Sequence, residues 1–280
     1  MIHVERKVVR EVEEYKMEVK VIEKNENNLV LELSNTNETE VNTLRRLIIT
    51  EVPTMAIEEV EFIKNDSALF DEILAHRLGL LPLTTDLKIF NERDRCKCEG
   101  KGCPLCQVEF TLSAKGKSTV YSSQLESKDE KTKPVFGNMP IVKLIDNQEL
   151  ELNAIAVLGR GKQHMKFAPG VVYYHHKPIL KIVNDSKKLE QFKDKYPKAV
   201  IVDGKLDEKA LLKDNAYESC EGICDELLKV DYEKNKFIFY IESFGQIGPM
   251  EMVTVALEKF NEKLDDFVDA LKEQKKSTKK

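Results

Sequence analysis

The sequence has no excess of positive charge: 44 lysines and arginines stand against 49 aspartates and glutamates, a formal net charge of −5. Neutralising phosphates supplies most non-specific affinity for nucleic acid, so this balance argues against a chain that grips DNA or RNA by itself. No run approaches the ~20 apolar residues that a bilayer-spanning helix needs. The start, from Met1 to Lys20, mixes Arg, Glu and Lys with valines and lacks the uninterrupted apolar core of a signal peptide. The expected location is the cytoplasm, where six cysteines read as metal ligands or reduced thiols rather than a disulfide framework. Repeats of solenoid period are missing. So are a nucleophile–base–acid constellation, paired aspartates set for Mg²⁺ and a dinucleotide fingerprint, which leaves no catalytic candidate.

What is present is enough for a core. Of the 280 residues 41% are hydrophobic and 33% charged, room for two or three small domains or one domain with insertions. Met17, Val19 and Val21 alternate with charged residues, an Asn-rich turn follows, and Leu29, Leu31 and Leu33 share one face, which predicts a hairpin over 16–34. Thr39 or Asn42 is the expected cap of a helix with apolar residues Val41, Leu44, Leu47, Ile48 and Val52. Arg45 and Arg46 lie beside this stripe and Pro53 stops it. A strand is expected over 56–63, then a short helix through Leu69, Ile73, Leu74 and Leu78 that ends at Gly79. Strand-like segments follow at 108–112 and 150–157, an irregular stretch at 159–170, and strand character again over 171–183. Residues 184–214 are lysine-rich and weakly apolar, like a small separate insertion, and 236–243 reads as a final strand.

The last helix is the most regular feature. After Gly248 and Pro249, apolar residues fall at Val253, Leu257, Phe260, Leu264, Phe267 and Leu271, at alternating intervals of four and three, a heptad seam. Over 249–271 such a helix is about 33 Å long. Charged residues flank the seam, and a basic tail, 275–280, is expected to be disordered. Two fates for the seam stand open: packing on the helix's own domain, or dimerisation. A two-helix, few-strand unit made from the two chain ends has limited core, which leaves room for a partner face.

The strongest chemical signal is Cys96-Lys-Cys98-Glu-Gly-Lys-Gly-Cys103-Pro-Leu-Cys106. Four thiolates this close in sequence can close a tetrahedron around one ion, and the glycines let the backbone turn sharply enough to aim them inward. Zn²⁺ suits a closed four-sulfur structural site, while an iron–sulfur cluster also takes four cysteines. The bland alternative is four reduced thiols or two disulfides. No nearby Glu–His pair suggests an open catalytic position, so the site reads as structural. Cys220 and Cys224 sit four apart on an expected helix, and two ligands do not complete such a site. The segment Gly159-Arg-Gly-Lys-Gln-His164 lacks the full phosphate-loop pattern. His175 and His176 are neighbours in a strand and point to opposite faces. His76 reads as packing.

The stretch Asn42-Thr-Leu-Arg-Arg-Leu-Ile-Ile-Thr-Glu-Val-Pro53-Thr-Met-Ala-Ile resembles the signature helix of the alpha-like subunits of cellular RNA polymerases. That family comprises the archaeal D-type subunit, the eukaryotic third-largest subunit and the bacterial alpha amino-terminal domain. Ala75-His-Arg-Leu-Gly-Leu-Leu-Pro-Leu83 resembles the family's next block, residues 159–170 with His164 and Pro169 a third, and Glu242-Ser-Phe-Gly-Gln-Ile-Gly-Pro-Met250 a fourth. The four stand in the family's order across most of the chain, and the first two together are the specific ones.

The resemblance implies an α+β fold. Its parts are a discontinuous alpha-like dimerisation domain (1–52 plus 228–280), an inserted mainly β domain with the cysteine loop (53–180), and a small ferredoxin-like insertion (181–227). It implies a non-catalytic assembly subunit of DNA-directed RNA polymerase. In the family the helix holding Val41, Leu44 and Ile48 and the helix holding Val253, Leu257, Phe260, Leu264, Phe267 and Leu271 pack against a small alpha-like partner, subunit L in archaea. That heterodimer is the platform for the large catalytic subunits, joined by other small assembly subunits. Arg45 and Arg46 match paired basic positions expected to contact a large subunit. DNA would be met only through the holoenzyme, with no membrane involved. The resemblance also implies one structural zinc on Cys96, Cys98, Cys103 and Cys106, in a loop with a slightly longer central gap than its eukaryotic counterpart. Many archaeal relatives hold an iron–sulfur cluster in the ferredoxin-like domain. Here Tyr196 precedes Pro197 where Cys-Pro is usual, and Tyr217 stands where the next cysteine group would begin. A phenol substitutes poorly in a four-thiolate cluster, so this domain is expected to keep its fold and lack its cluster. Two readings from other classes remain: an independent iron–sulfur redox protein using the 96–106 thiols, and an autonomous zinc-dependent nucleic-acid binder, disfavoured by the acidic balance.

Overall fold

A computed structural model describes residues 16–277; residues 1–15 and 278–280 lie outside the described residues, and with them most of the charged start and the end of the basic tail. The elements, in chain order, begin with strands β1 (Glu18–Lys24) and β2 (Asn28–Ser34), then helix α1 (Glu38–Glu51), β3 (Pro53–Asn65) and α2 (Asp71–Gly79). There follow β4 (Gln107–Lys115), β5 (Ser118–Tyr121), β6 (Glu126–Ser127), β7 (Pro140–Leu144), β8 (Glu149–Arg160) and β9 (Gly170–Ile182). The chain continues through α3 (Ser186–Phe192), β10 (Ile201–Val202), β11 (Lys205–Leu206) and α4 (Glu208–Leu212) to β12 (Leu228–Ser243) and α5 (Pro249–Ser277). Strands β1, β2, β12 and β9, in that order, make one four-stranded sheet, and β3, β8, β4 and β6 make a second.

The larger of two compact units contains, among the described residues, Val21–Leu31, Glu38–Tyr173 and 239–277. Its long antiparallel pair, β3 with β8, runs from Pro53 opposite Arg160 to Asn65 opposite Leu150, with bulges at Ile57/Glu59 and Phe62/Lys64. β4 adds to the far side of β8, with Phe110 opposite Ala154 and Leu112 opposite Leu152. Alternation puts Val108, Phe110, Leu112, Leu150, Leu152 and Ala154 in one core with Leu74 and Leu78 of α2. Each large side chain buried this way stabilises by roughly 1.5–3 kcal/mol. Arg77 of α2 locks the helix down by donating to the carbonyls of Ile141 (2.9 Å) and Pro140 (2.6 Å).

Helix α1 starts at Glu38, ahead of both expected caps. The acidic Glu38 and Glu40 suit the positive end of the helix dipole, and Thr43 Oγ1 donates back to the Thr39 carbonyl at 2.7 Å. The segment expected to be irregular is partly strand, because β8 extends to Arg160. Beyond it the backbone is pressed against its neighbours. A Cβ on Gly161 would lie 2.0 Å from the Ile49 carbonyl oxygen, and one on Gly170 2.1 Å from that of Glu242. Only glycine fits at either place.

The smaller unit contains, among the described residues, the segments 16–20, Glu32–Asn37 and Tyr174–Ile238. Asp185 caps α3 by accepting from the Lys187 and Lys188 amides. The hairpin β10–β11 turns through Asp203 and Gly204, both at positive φ. Leu189, Val200, Leu206, Leu211 and Leu227 pack around Tyr196, Tyr217 and Cys220. The helix expected to carry Cys220 and Cys224 is not an α-helix: a 3-10 segment, Lys213–Ser219, gives way to turns. Gly222, at φ +78°, breaks the run between the two cysteines.

Candidate functional site

The cysteine loop enters through a 3-10 turn, Arg93–Arg95, and leaves into β4. Two tight turns shape it. The Glu99 amide reaches the Cys96 carbonyl at 3.0 Å, and the Cys106 amide the Cys103 carbonyl at 2.9 Å. Glu99, Gly100 and Gly102 all take positive φ between the cysteine pairs. A side chain on Gly102 would also collide with Gln107, whose Oε1 lies 2.4 Å from the Cβ position.

This backbone gathers all four sulfurs. Sγ–Sγ separations are 3.6 Å for Cys96–Cys103, 3.5 Å for Cys98–Cys106 and 3.8 Å for Cys103–Cys106, and all four atoms lie within 4.8 Å of one another. Four thiolates at a Zn–S length of ~2.3 Å define a tetrahedron with edges of about 3.8 Å. The fit is to a single four-coordinate ion. A multi-iron cluster places several irons and sulfides between its thiolates and requires them further apart. The Cys103 amide donates to Cys106 Sγ at 3.2 Å, a contact that favours a charged sulfur. Crowding polarises the thiols unequally. Burial pushes Cys106 up to about 12. At Cys98 burial works in the same direction, but hydrogen bonds from Cys106, Cys96 and Cys103 and from the Gly102 amide outweigh it and hold the group at about 6.

Cys220 and Cys224 have a different setting. Cys220 is buried beside Tyr196 and Tyr217 in the interior of the smaller unit. Burial first, then the nearby Cys224 and Cys220, pushes the Tyr196 phenol up to about 12. His175 and His176 serve local contacts: His175 Nδ1 meets the His176 carbonyl at 2.7 Å, and the His176 ring lies 4.5 Å from that of Phe237.

Helix α5 packs on α1 with a face the seam does not define. Met252 and Ala256 are fully buried, whereas the seam residues Val253 and Phe260 are half-buried. Leu257, Leu264, Phe267 and Leu271 are 46%, 46%, 62% and 44% exposed, and every residue from 261 to 272 is exposed. On α1, Val41 and Ile48 point into the chain's own interior and offer no surface to a partner. Leu44 and Arg45 are half-buried, Arg46 is exposed, and Arg45 Nε donates to Asn42 Oδ1 at 3.1 Å.

A charged network unnoticed in the sequence ties these parts together. Glu51, buried at the end of α1, receives Lys263 of α5 at 2.5 Å and Arg160 of β8 at 3.5 Å. Arg160 also holds Glu92, at the mouth of the cysteine loop, at 2.6 Å. Arg95, next to Cys96, reaches Glu262 of α5 at 3.3 Å. The available signal was Glu51 itself, a carboxylate on the inner side of an apolar stripe, where a charge needs a partner.

No helix among the described residues is long and apolar enough to cross a membrane. Residues 52–171 match the family model described as the RNA polymerase Rpb3/RpoA insert domain, so the class is that of polymerase subunits carrying this insert. The chain is 36% identical over 276 residues to the DNA-directed RNA polymerase subunit Rpo3 of Methanosphaera stadtmanae, covering 92% of this chain and 100% of that protein. Identity to the Rpo3 subunit of Pyrococcus furiosus is 38% over 266 residues, with 91% and 97% covered. Identity to that of Methanosarcina acetivorans is 37% over 262 residues, with 91% and 98% covered. The chain belongs to the Rpo3 family of archaeal DNA-directed RNA polymerase subunits, the D-type alpha-like subunits. These relatives give no support to an independent iron–sulfur carrier.

Proposed function

We propose that this chain is a non-catalytic assembly subunit of DNA-directed RNA polymerase, pairing through α5 with a small alpha-like subunit of the L type. The heterodimer is the platform on which the large catalytic subunits assemble, and templated nucleotide addition belongs to the complete enzyme. The observation that carries this reading is the outer part of α5, where Leu264, Phe267 and Leu271 keep their heptad spacing while exposed. The dimerisation domain is assigned to 1–52 plus 228–280, the insert to 53–180 and the ferredoxin-like part to 181–227. Arg45 and Arg46 are assigned to a large-subunit contact, and DNA is reached only within the holoenzyme.

The ion assigned to Cys96, Cys98, Cys103 and Cys106 is zinc in a structural role. Its support is the four-sulfur donor set at single-ion spacing. When bound it supplies a cross-link that holds the loop closed. Tagged chain recovered from its native cytosol, with partners identified by mass and metal by elemental analysis, tests both assignments. Recovery of the large polymerase subunits with about one zinc per chain is the expected result. Chain recovered alone and loaded with iron would reject them.

A further inference from the structure

The cysteine loop and the partner helix meet where α5 leaves the body of the larger unit. The helix is packed as far as Phe260, and residues 261 to 272 are exposed. Among the described residues its last ion pairs to the rest of the chain are at Glu262 and Lys263, just before Leu264 of the seam. Both lead back to the loop. One route is direct, Arg95 to Glu262, and Arg95 adjoins the ligand Cys96. The other runs inward from Lys263 through Glu51 and Arg160 to Glu92, four residues before Cys96.

We infer that the cysteine loop, closed by its ion, positions the partner helix, with Arg95 and Arg160 as the positioning residues. The inference rests on the metal and partner readings above. Closing the loop fixes where Cys96 stands and so limits where Arg95 and Glu92 can place their charges. An open loop lets Arg95 swing away from Glu262 and leaves the Arg160–Glu51 pair without its outer carboxylate. The two routes differ in weight. Arg95 and Glu262 are both about half exposed, and solvent screens such a pair. Arg160, Glu51 and Glu92 are largely shielded, so a broken contact there leaves a poorly solvated charge. Ion occupancy thereby reaches the seam without any ligand touching it.

The test uses the full chain and its purified small alpha-like partner, with the ion removed by a chelator under reducing conditions and zinc then restored. Readouts are amide hydrogen exchange over residues 257–271 in the free chain and the Kd for the partner. Removal is expected to speed exchange there and weaken binding about five- to tenfold, with zinc restoring both. Because stripping the ion can also loosen the insert, Arg95→Glu is measured with the ion in place. It should weaken binding roughly two- to fivefold at unchanged zinc content, and the swap Arg95→Glu with Glu262→Arg should recover it. Unchanged exchange and affinity in a chain verified as ion-free overturns the inference. So does a charge swap no better than Arg95→Glu. A chain that never takes up zinc overturns the metal reading as well, and elemental analysis of the untreated protein separates that case; failure of the untreated chain to bind the partner marks failure of the assembly reading.

Discussion

The two halves of α5 carry the same periodicity and meet opposite surroundings. In the first half, Met252 and Ala256 are fully buried and the helix packs on α1. In the second, the apolar residues at 264, 267, 268 and 271 are all exposed. A heptad pattern therefore specifies a stripe and not what covers it. The first half is held by the chain's own core. The second is held by charges at its root and has an apolar face left over.

The largest expected effect comes from attacking the packed half. Ala256→Glu places an unpaired carboxylate in a fully buried position and should cost about 3–5 kcal/mol, read as a fall in thermal midpoint of the isolated chain. Equal stability of this variant and the wild type would erase the distinction between the halves. Next is the exposed seam, which runs from Leu257 in the packed half to Leu264 in the open one. Leu257→Glu with Leu264→Glu should leave the chain's own unfolding within about 0.5 kcal/mol of wild type. Heterodimer formation in size-exclusion chromatography should be lost, since each leucine buried at an interface is worth about 1.5–3 kcal/mol. Normal partner binding by that double variant would sink the seam assignment.

The smallest effect lies at the junction. The Lys259 hydrogen bond holds the Glu262 carboxyl below its ordinary 4.5, burial opposes this, and Arg95 adds to it. A depressed carboxylate contributes stability that is complete above its ordinary value and is lost as pH falls through the folded value. The attachment of α5 should therefore be full at neutral pH and weaken below about pH 4.5. Because Glu262 is about half exposed, the screened contribution is only about 0.3–0.5 kcal/mol. Thermal midpoints of wild type and Glu262→Gln should differ at pH 7 and converge in acid. A constant difference across that range would remove the carboxylate's role at the root.

Local chemistry made much of this legible in advance. The alternating leucines of β2, the stripe of α1, and Pro249 at the start of α5 all depend on near neighbours in sequence, and each element stands where its pattern placed it. The cysteine loop was readable because ligand type and spacing confine the geometry. Long-range partnerships were not readable. Arg160 looked like part of a weak glycine motif, and only the fold brings it between Glu51 and Glu92. Met252 and Ala256 were invisible as the inner face of α5 because the stronger periodicity belonged to the seam. The false helix at Cys220 arose because composition does not reveal that Gly222 turns left-handed.

Gly161 and Gly170 have a consequence for how such a chain can change over generations. The atoms a side chain would strike there are backbone oxygens of Ile49 and Glu242, and these cannot swing aside as a flexible side chain can. Any descendant that keeps this backbone must keep glycine at both positions, whatever drift does to the loops around them. They act as surveyor's marks: fixed points from which the insertions and deletions of distant cousins can be measured.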